Sequence, residues 1–407
     1  MQFPTHLLLV LLLHLFCLLC LSGDYKGWVT KEVVEWAIHE LFEVQEKARE
    51  IIVTTSNSNN IDQRPSSPFI SGDGFRAHCK HRCEEISSCQ WDPTLIKNGE
   101  CIFVGVIMFE YFVRSIVPKI PGSYRLVSHN GDLSSPDGQD DTTGLGLSAY
   151  TVSNILEREF AVGRLLSHHG QNLWWKNASI GKPRPTFSHC LPIGIENRQH
   201  KIGKRPEIYI SALKRNILGD GKNRNEQQQQ QQHGLSRPLL LIAFKPASYS
   251  PDRQKVLSVL GAQYSGGNKV HEMFRTFYQN FMPGASKPFY NFTKVKHAEW
   301  LDAIAYHKFV LAPFGHGLDT HRIYEILLLG GIPVVRKSTI LSCYDDSDNV
   351  EGSLPARGSL PIVALDSWSD LTKERLDREW ERLSKIPHNH WDWKRLFIGH
   401  WLERIDA

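Results

Sequence analysis

The stretch from Phe309 to Val335, FVLAPFGHGLDTHRIYEILLLGGIPVV, constrains the fold more than any other part of the chain. A short apolar run breaks at Pro313 and passes through Gly315 and Gly317. A helical pattern then starts near Asp319 and stops at Gly330-Gly331, before a second apolar run. Two buried strands joined through a helix form a parallel crossover, so the segment reads as a βαβ unit. The flanking sequence repeats the pattern. Strands are expected at Leu239–Phe244, Lys308–Ala312, Ile332–Val335 and Pro361–Leu365, and helices from Ser250-Pro251-Asp252 to Leu260, over Trp300–Tyr306 and over Asp319–Leu329. Ser at a cap followed by Pro at the first helical position is a helix start. The alternation predicts a doubly wound parallel sheet in the C-terminal half.

A glycine turn that runs into a helix also suits an anion. Gly315 and Gly317 let backbone approach a phosphate, and the helix N-terminus offers unpaired N–H groups and a positive dipole end. His321 and Arg322 add donors in the first turn, and Arg can grip a diphosphate with two hydrogen bonds. Glu325, at i+3 from Arg322, shares its face and can accept from sugar or ribose hydroxyls, although a plain Arg322–Glu325 surface ion pair fits the same spacing. Lys245, at the end of the LLLIAF strand, and Arg253, at the start of the next helix, can reach the same diphosphate or simply sit on exposed edges.

At 407 residues the chain exceeds one ordinary core, which favours two domains with a terminal extension. With 41% hydrophobic and 22% charged residues it is neither fibrous nor disordered. A formal charge of +4, without a Lys/Arg block, argues against nucleic acid as a partner. In the first half, Tyr124–Val127 reads as a buried strand opening into Ser128-His129-Asn130-Gly131-Asp132, and loops at the carboxyl ends of such strands are where ligands sit. Asp132, His129 and Glu196 are the candidate bases, with Asn197 and Arg198 beside them. Asp140-Asp141 and Asp345-Asp346 read as solvated turns, so no metal site is expected.

The N-terminus indicates the secretory pathway. Leu7–Leu21 is apolar apart from His14, and reads either as a cleavable signal or as a signal anchor. Lys31–Val53 carries helical spacing and reads as a stem, and Thr54–Ser71 as a Ser/Asn/Pro-rich linker. Cys79, Cys83, Cys89 and Cys101 are spaced by three, five and eleven residues, which matches no common zinc finger, so they read as disulfides together with Cys190 and Cys343. Sequons at Asn177 and Asn291 fit a lumenal fate. Arg224–His233, RNEQQQQQQH, is a low-complexity loop near a domain boundary. The resulting organisation is a signal or anchor at 1–23, stem and linker at 24–71, an N-terminal domain with a Cys-rich start at 72–235, a C-terminal domain at 236–366 and C-terminal helices at 367–407.

The Phe309–Val335 stretch resembles the C-terminal signature of exostosin-like glycosyltransferases: strand, Pro/Gly loop, helix with Arg and an acidic residue, then a Gly-x-Ile-Pro-Val strand. Leu126–Asp132 (LVSHNGD) and Pro192–Arg198 (PIGIENR) resemble N-terminal segments of the same family, with Gly131 where the family often has Ser. The resemblance implies two Rossmann-like domains of GT-B type, with the nucleotide-sugar donor in the C-terminal domain and a glycan or glycoprotein acceptor in the N-terminal one. It also implies Golgi or ER lumenal placement, as a type II membrane protein or a secreted one. The implied reaction is an inverting displacement without an obligatory metal or other cofactor. A catalytically inactive carbohydrate-binding protein on the same fold is the competing expectation.

Overall fold

The structure, a computed structural model, describes residues 29–40, 66–137, 152–175, 185–201, 205–218, 239–244, 250–259, 296–345 and 355–407. The apolar run Leu7–Leu21, Lys245, the Gln-rich tract, Asp140-Asp141 and both sequons lie outside these residues.

Two parallel sheets form the scaffold. The first comprises β1 (His81–Cys83), β2 (Glu100–Gly105), β3 (Tyr124–His129), β5 (Leu165–Gly170) and β7 (Ser188–Cys190), in the order β1-β2-β3-β5-β7. A small parallel pair, β4 (Ser135–Pro136) with β6 (Leu173–Trp174), stands beside it. The second sheet comprises β8 (Leu240–Leu241), β9 (Phe309–Leu311), β10 (Ile332–Arg336) and β11 (Val363–Leu365), in the order β11-β10-β9-β8. The α/β expectation therefore holds, with parallel pairing such as Ile332 with Phe309 and Val334 with Val363. The doubly wound order does not appear among the described strands. Both sheets advance in chain order without the reversal that creates a switch point. Local periodicity specifies strands and helices but not the side to which each new strand is added.

Parallel strands are covered on both faces, and their sequences show it. In β2, Ile102 and Val104 enter one apolar cluster with Phe109 and Phe112, while Phe103 enters the other with Val127 of β3. Every residue of β9 is fully buried. Burying such a side chain contributes about 1.5–3 kcal/mol.

Helices pack around this frame: α1 (Gly72–His78), α2 (Ser153–Ala161), α3 (Glu207–Leu213), α4 (Pro251–Val259), α5 (His297–Tyr306), α6 (His321–Leu328), α7 (Leu341–Tyr344), α8 (Lys373–Ser384) and α9 (Ile398–Asp406). Ile323, Tyr324, Ile326, Leu327 and Leu328 bury α6 on nearly every side, and the Tyr324 hydroxyl donates to Leu396 O at 2.8 Å.

Two expectations for the N-terminal region are corrected. Residues 31–40 are helical, but Val33, Val34 and Ala37 are buried in the main core, and Trp36 packs edge-on against Trp393 and Phe397. The periodicity was a packing face of the folded unit, not a free stem. Residues 66–71, expected in the linker, are equally part of the fold. Phe69 and Ile70 are fully buried, Phe69 bridges to Phe397, and Pro68 O accepts the Ile398 amide at 2.9 Å. The last helix returns to the first sheet, where Arg125 Nη2 donates to Asp406 O at 2.8 Å.

All six described cysteines are paired, as Cys79–Cys101, Cys83–Cys89 and Cys190–Cys343. The third joins β7 of the first sheet to α7 beside the second. No group of metal-holding side chains occurs among the described residues. Asp345, expected in a solvated turn, is instead buried and accepts from the Ser359 hydroxyl at 2.7 Å.

Candidate functional site

The loop after β9 is held from below by α4. Ser250 Oγ donates to Phe314 O at 2.9 Å and accepts from Arg253 N at 3.4 Å, the cap that the Ser-Pro-Asp start predicts. Asp252 accepts the Phe314 amide at 3.0 Å and the Trp368 indole at 2.9 Å, and pairs with Arg336 at 2.8 Å. That buried carboxylate, missed in the sequence, fixes where the loop leaves the sheet. A Cβ on Gly315 would stand 3.6 Å from Arg253 Nη2 and 3.3 Å from Thr320 Cγ2, so the Arg253 guanidinium reaches the glycine turn.

Gly317 has a different use from the one expected. A Cβ there would lie 2.4 Å from Asn172 Nδ2 and 3.0 Å from Asp132 O. The glycine admits loops of the first sheet to the second sheet's turn, and cradling a phosphate is not needed to explain it. Asp319 continues the junction. Its amide donates to Asn172 Oδ1 at 2.8 Å, and its carboxylate accepts from Ile193 N at 2.7 Å and from the Tyr344 hydroxyl at 3.2 Å. Burial pushes this carboxyl up to about 7, against the pull of those donors. The helix expected from Asp319 therefore starts two residues later, at His321, with Thr320 as its cap. His321 Nδ1 donates to Gly194 O at 2.7 Å, another bond to the first sheet's loops.

Arg322 projects from the first turn of α6. Its guanidinium lies 5.2 Å from the centroid of the Trp300 ring, and its Nε is buried with no hydrogen-bond partner. Burial first, and then repulsion from Arg253, lowers its pKa to about 10. Thr320 Oγ1, beside it, is also buried and unpartnered. Arg253 and Arg322 stand at two helix starts, and the buried, unpartnered Nε of Arg322 leaves a donor that an anion can fill.

Glu325 is not disposed as the spacing suggested. One oxygen accepts from His297 Nε2 at 2.7 Å and the Tyr209 hydroxyl at 3.0 Å, and the other from Trp300 Nε1 at 2.7 Å. Burial alone would raise its pKa, but these donors hold it below the usual carboxylate value. It is buried and forms no ion pair with Arg322, so the surface-pair expectation gives way to a buried junction of α3, α5 and α6.

On the first sheet, His129 is fully enclosed. Nδ1 accepts the Asn130 amide at 2.8 Å, Nε2 faces Pro192 O at 3.3 Å, and burial pushes the ring down to about 4. Both nitrogens are engaged in contacts within the first sheet's loops. Asp132 is exposed, and its backbone carbonyl accepts from Asn172 Nδ2 at 3.3 Å, which places it beside Gly317. Glu196 is partly exposed, two residues beyond Gly194. Gly131 has a local reason: a Cβ would meet Val106 Cγ2 at 2.3 Å. Asn197 bonds Asp73 N and Asn130 Oδ1, each at 2.9 Å, while the Arg198 amide donates to Asp73 at 2.7 Å. Asp73 pairs with Arg76, which also reaches Glu84 at 3.2 Å. This polar cluster at the carboxyl edge of the first sheet carried no motif.

Arg253, Gly315, Thr320 and Arg322 thus gather in one place, while Gly317, Asp319 and His321 join that place to the loop carrying Asp132 and the loop carrying Glu196. No curated protein matches the chain. Residues 275–402, which include α5, the glycine turn and α6, match the family model described as the RXYLT1 C-terminal domain, from an exostosin-related glycosyltransferase family.

Proposed function

We propose that the protein is a glycosyltransferase that moves a sugar from a nucleotide-sugar donor to a glycan or glycoprotein acceptor in the secretory pathway. The observation that carries this reading is Arg322, charged and buried at Nε without a partner, converging with Arg253 on the glycine turn. A diphosphate supplies the missing acceptors. As the glycosidic bond breaks, negative charge accumulates on the departing nucleotide, and groups already aimed at it stabilise that charge most strongly. Asp132, exposed on the loop that abuts Gly317, takes the proton of the acceptor hydroxyl in a single inverting displacement. The family match over residues 275–402 supports the donor half of the reading. The disulfides support an oxidising lumen. No helix among the described residues is long and apolar enough to cross a membrane, so attachment in this reading rests on Leu7–Leu21. The test is turnover of a panel of nucleotide sugars by the purified lumenal chain. Release of nucleoside diphosphate from at least one donor is expected, and a panel without turnover rejects the enzyme in favour of a binding protein.

A further inference from the structure

Trp300 stands on α5, and its two surfaces do different things. The indole edge donates from Nε1 to Glu325 Oε2 at 2.7 Å, and the ring face carries the Arg322 guanidinium at 5.2 Å. Glu325 is in turn held at its other oxygen by His297 and Tyr209, at 2.7 and 3.0 Å. A rigid carboxylate therefore fixes the ring, and the ring fixes the arginine.

Arg322 needs such a support. Its Nε has no hydrogen-bond partner, Arg253 repels it, and the nearby carboxylate of Glu325 makes no ion pair with it. A long side chain without directional bonds samples many rotamers, and ordering it anew at each binding event weakens affinity. A ring face attracts a guanidinium without using its N–H groups, so the donors stay available for a ligand.

We infer that Trp300 is a positioning residue, which holds Arg322 in its ligand-gripping geometry, and that Glu325 serves this support instead of touching the nucleotide. The inference rests on the reading of Arg322 as a diphosphate ligand. It predicts that losing the π face at position 300 weakens binding most, and that losing the indole N–H alone, which frees the ring from Glu325, weakens it by a smaller, measurable factor.

The test is calorimetric titration of uridine and guanosine diphosphates into the wild-type chain, Trp300→Phe and Trp300→Leu, with melting temperature recorded for each. Trp300→Leu should weaken binding of the diphosphate that the wild type prefers by about tenfold, the range of a partly buried cation–π contact. Trp300→Phe should stay within about threefold of wild type. Trp300→Met, which fills space without a π face, replaces the leucine variant if that one fails to fold. A merely structural role predicts that the phenylalanine and leucine variants lose affinity together with thermal stability. If the wild type binds and a folded leucine or methionine variant binds equally well, the positioning inference falls alone. If the wild type binds neither diphosphate, the donor reading falls, and the inference falls with it.

Discussion

The carboxylate of Asp319 accepts the backbone amide of Ile193 at 2.7 Å, so the turn ahead of α6 is bonded directly to the loop that follows β7. This contact is buried, and it makes the junction between the sheets sensitive to pH. The folded-state pKa of Asp319, about 7, lies above the ordinary carboxylate value of 3.8. The folded chain thus binds a proton that the unfolded chain releases over this range. The stability linked to Asp319 is fully present below about pH 4, declines as pH rises through 7, and is flat above it. Denaturant unfolding at pH 5 and pH 8 should show lower stability at pH 8, and Asp319→Asn should flatten that difference. An equally steep profile in the variant assigns the effect to other groups.

Cys190–Cys343 spans 153 residues of sequence and links the two sheets. Cross-links closing long loops restrict the unfolded chain most, and removing one costs about 2–5 kcal/mol. Cys190→Ser with Cys343→Ser should lower the melting temperature by several degrees under non-reducing conditions. An unchanged melting temperature would show that the junction holds without the cross-link.

The two glycines of the turn should respond unequally. Gly317→Ala drives a methyl to within 2.4 Å of Asn172 Nδ2 and 3.0 Å of the Asp132 carbonyl, and a backbone atom yields little. It should destabilise the protein by about 1–3 kcal/mol and reduce turnover. Gly315→Ala meets side-chain atoms alone, Thr320 Cγ2 at 3.3 Å and Arg253 Nη2 at 3.6 Å, and should be milder in stability. Side-by-side unfolding of the two variants checks the order, and a more severe effect at Gly315 contradicts it.

His129 should stay neutral from pH 5 to 8, because burial pushes its ring down to about 4. Its imidazole resonances should not move over that interval, and turnover should show no ionisation that disappears in His129→Gln. A midpoint near 6.5 for this ring means that it is solvated and open to a catalytic role.

Much of the scaffold was legible in sequence because parallel strands buried on both faces leave unbroken apolar runs, as in Phe309–Leu311 and Ile332–Val335. The turn between β9 and α6 was legible as well, because Pro313 and the glycines interrupt the apolar pattern. Strand order was not, since it depends on which edge each crossover returns to. Spacing put Glu325 and Arg322 on one face of a helix, but it could not reveal that Tyr209, His297 and Trp300 arrive there from two other helices. Val33, Val34 and Ala37 announced an apolar face without saying what covers it; Trp393 and Phe397 are some 360 residues away in sequence. Asp252 and Asp319 look like ordinary helix-start acids, and only their tertiary donors set them apart.

A grip of Arg322 on the donor's diphosphate can be read from titration of nucleoside diphosphates into the wild-type chain and Arg322→Met. The methionine variant keeps an unbranched apolar side chain at position 322 while removing the guanidinium and its charge. Wild type should bind, and a variant that melts close to the wild-type temperature should lose about a hundredfold in affinity, as removing a charge-assisted bidentate contact implies. Equal affinity in the two proteins would contradict it.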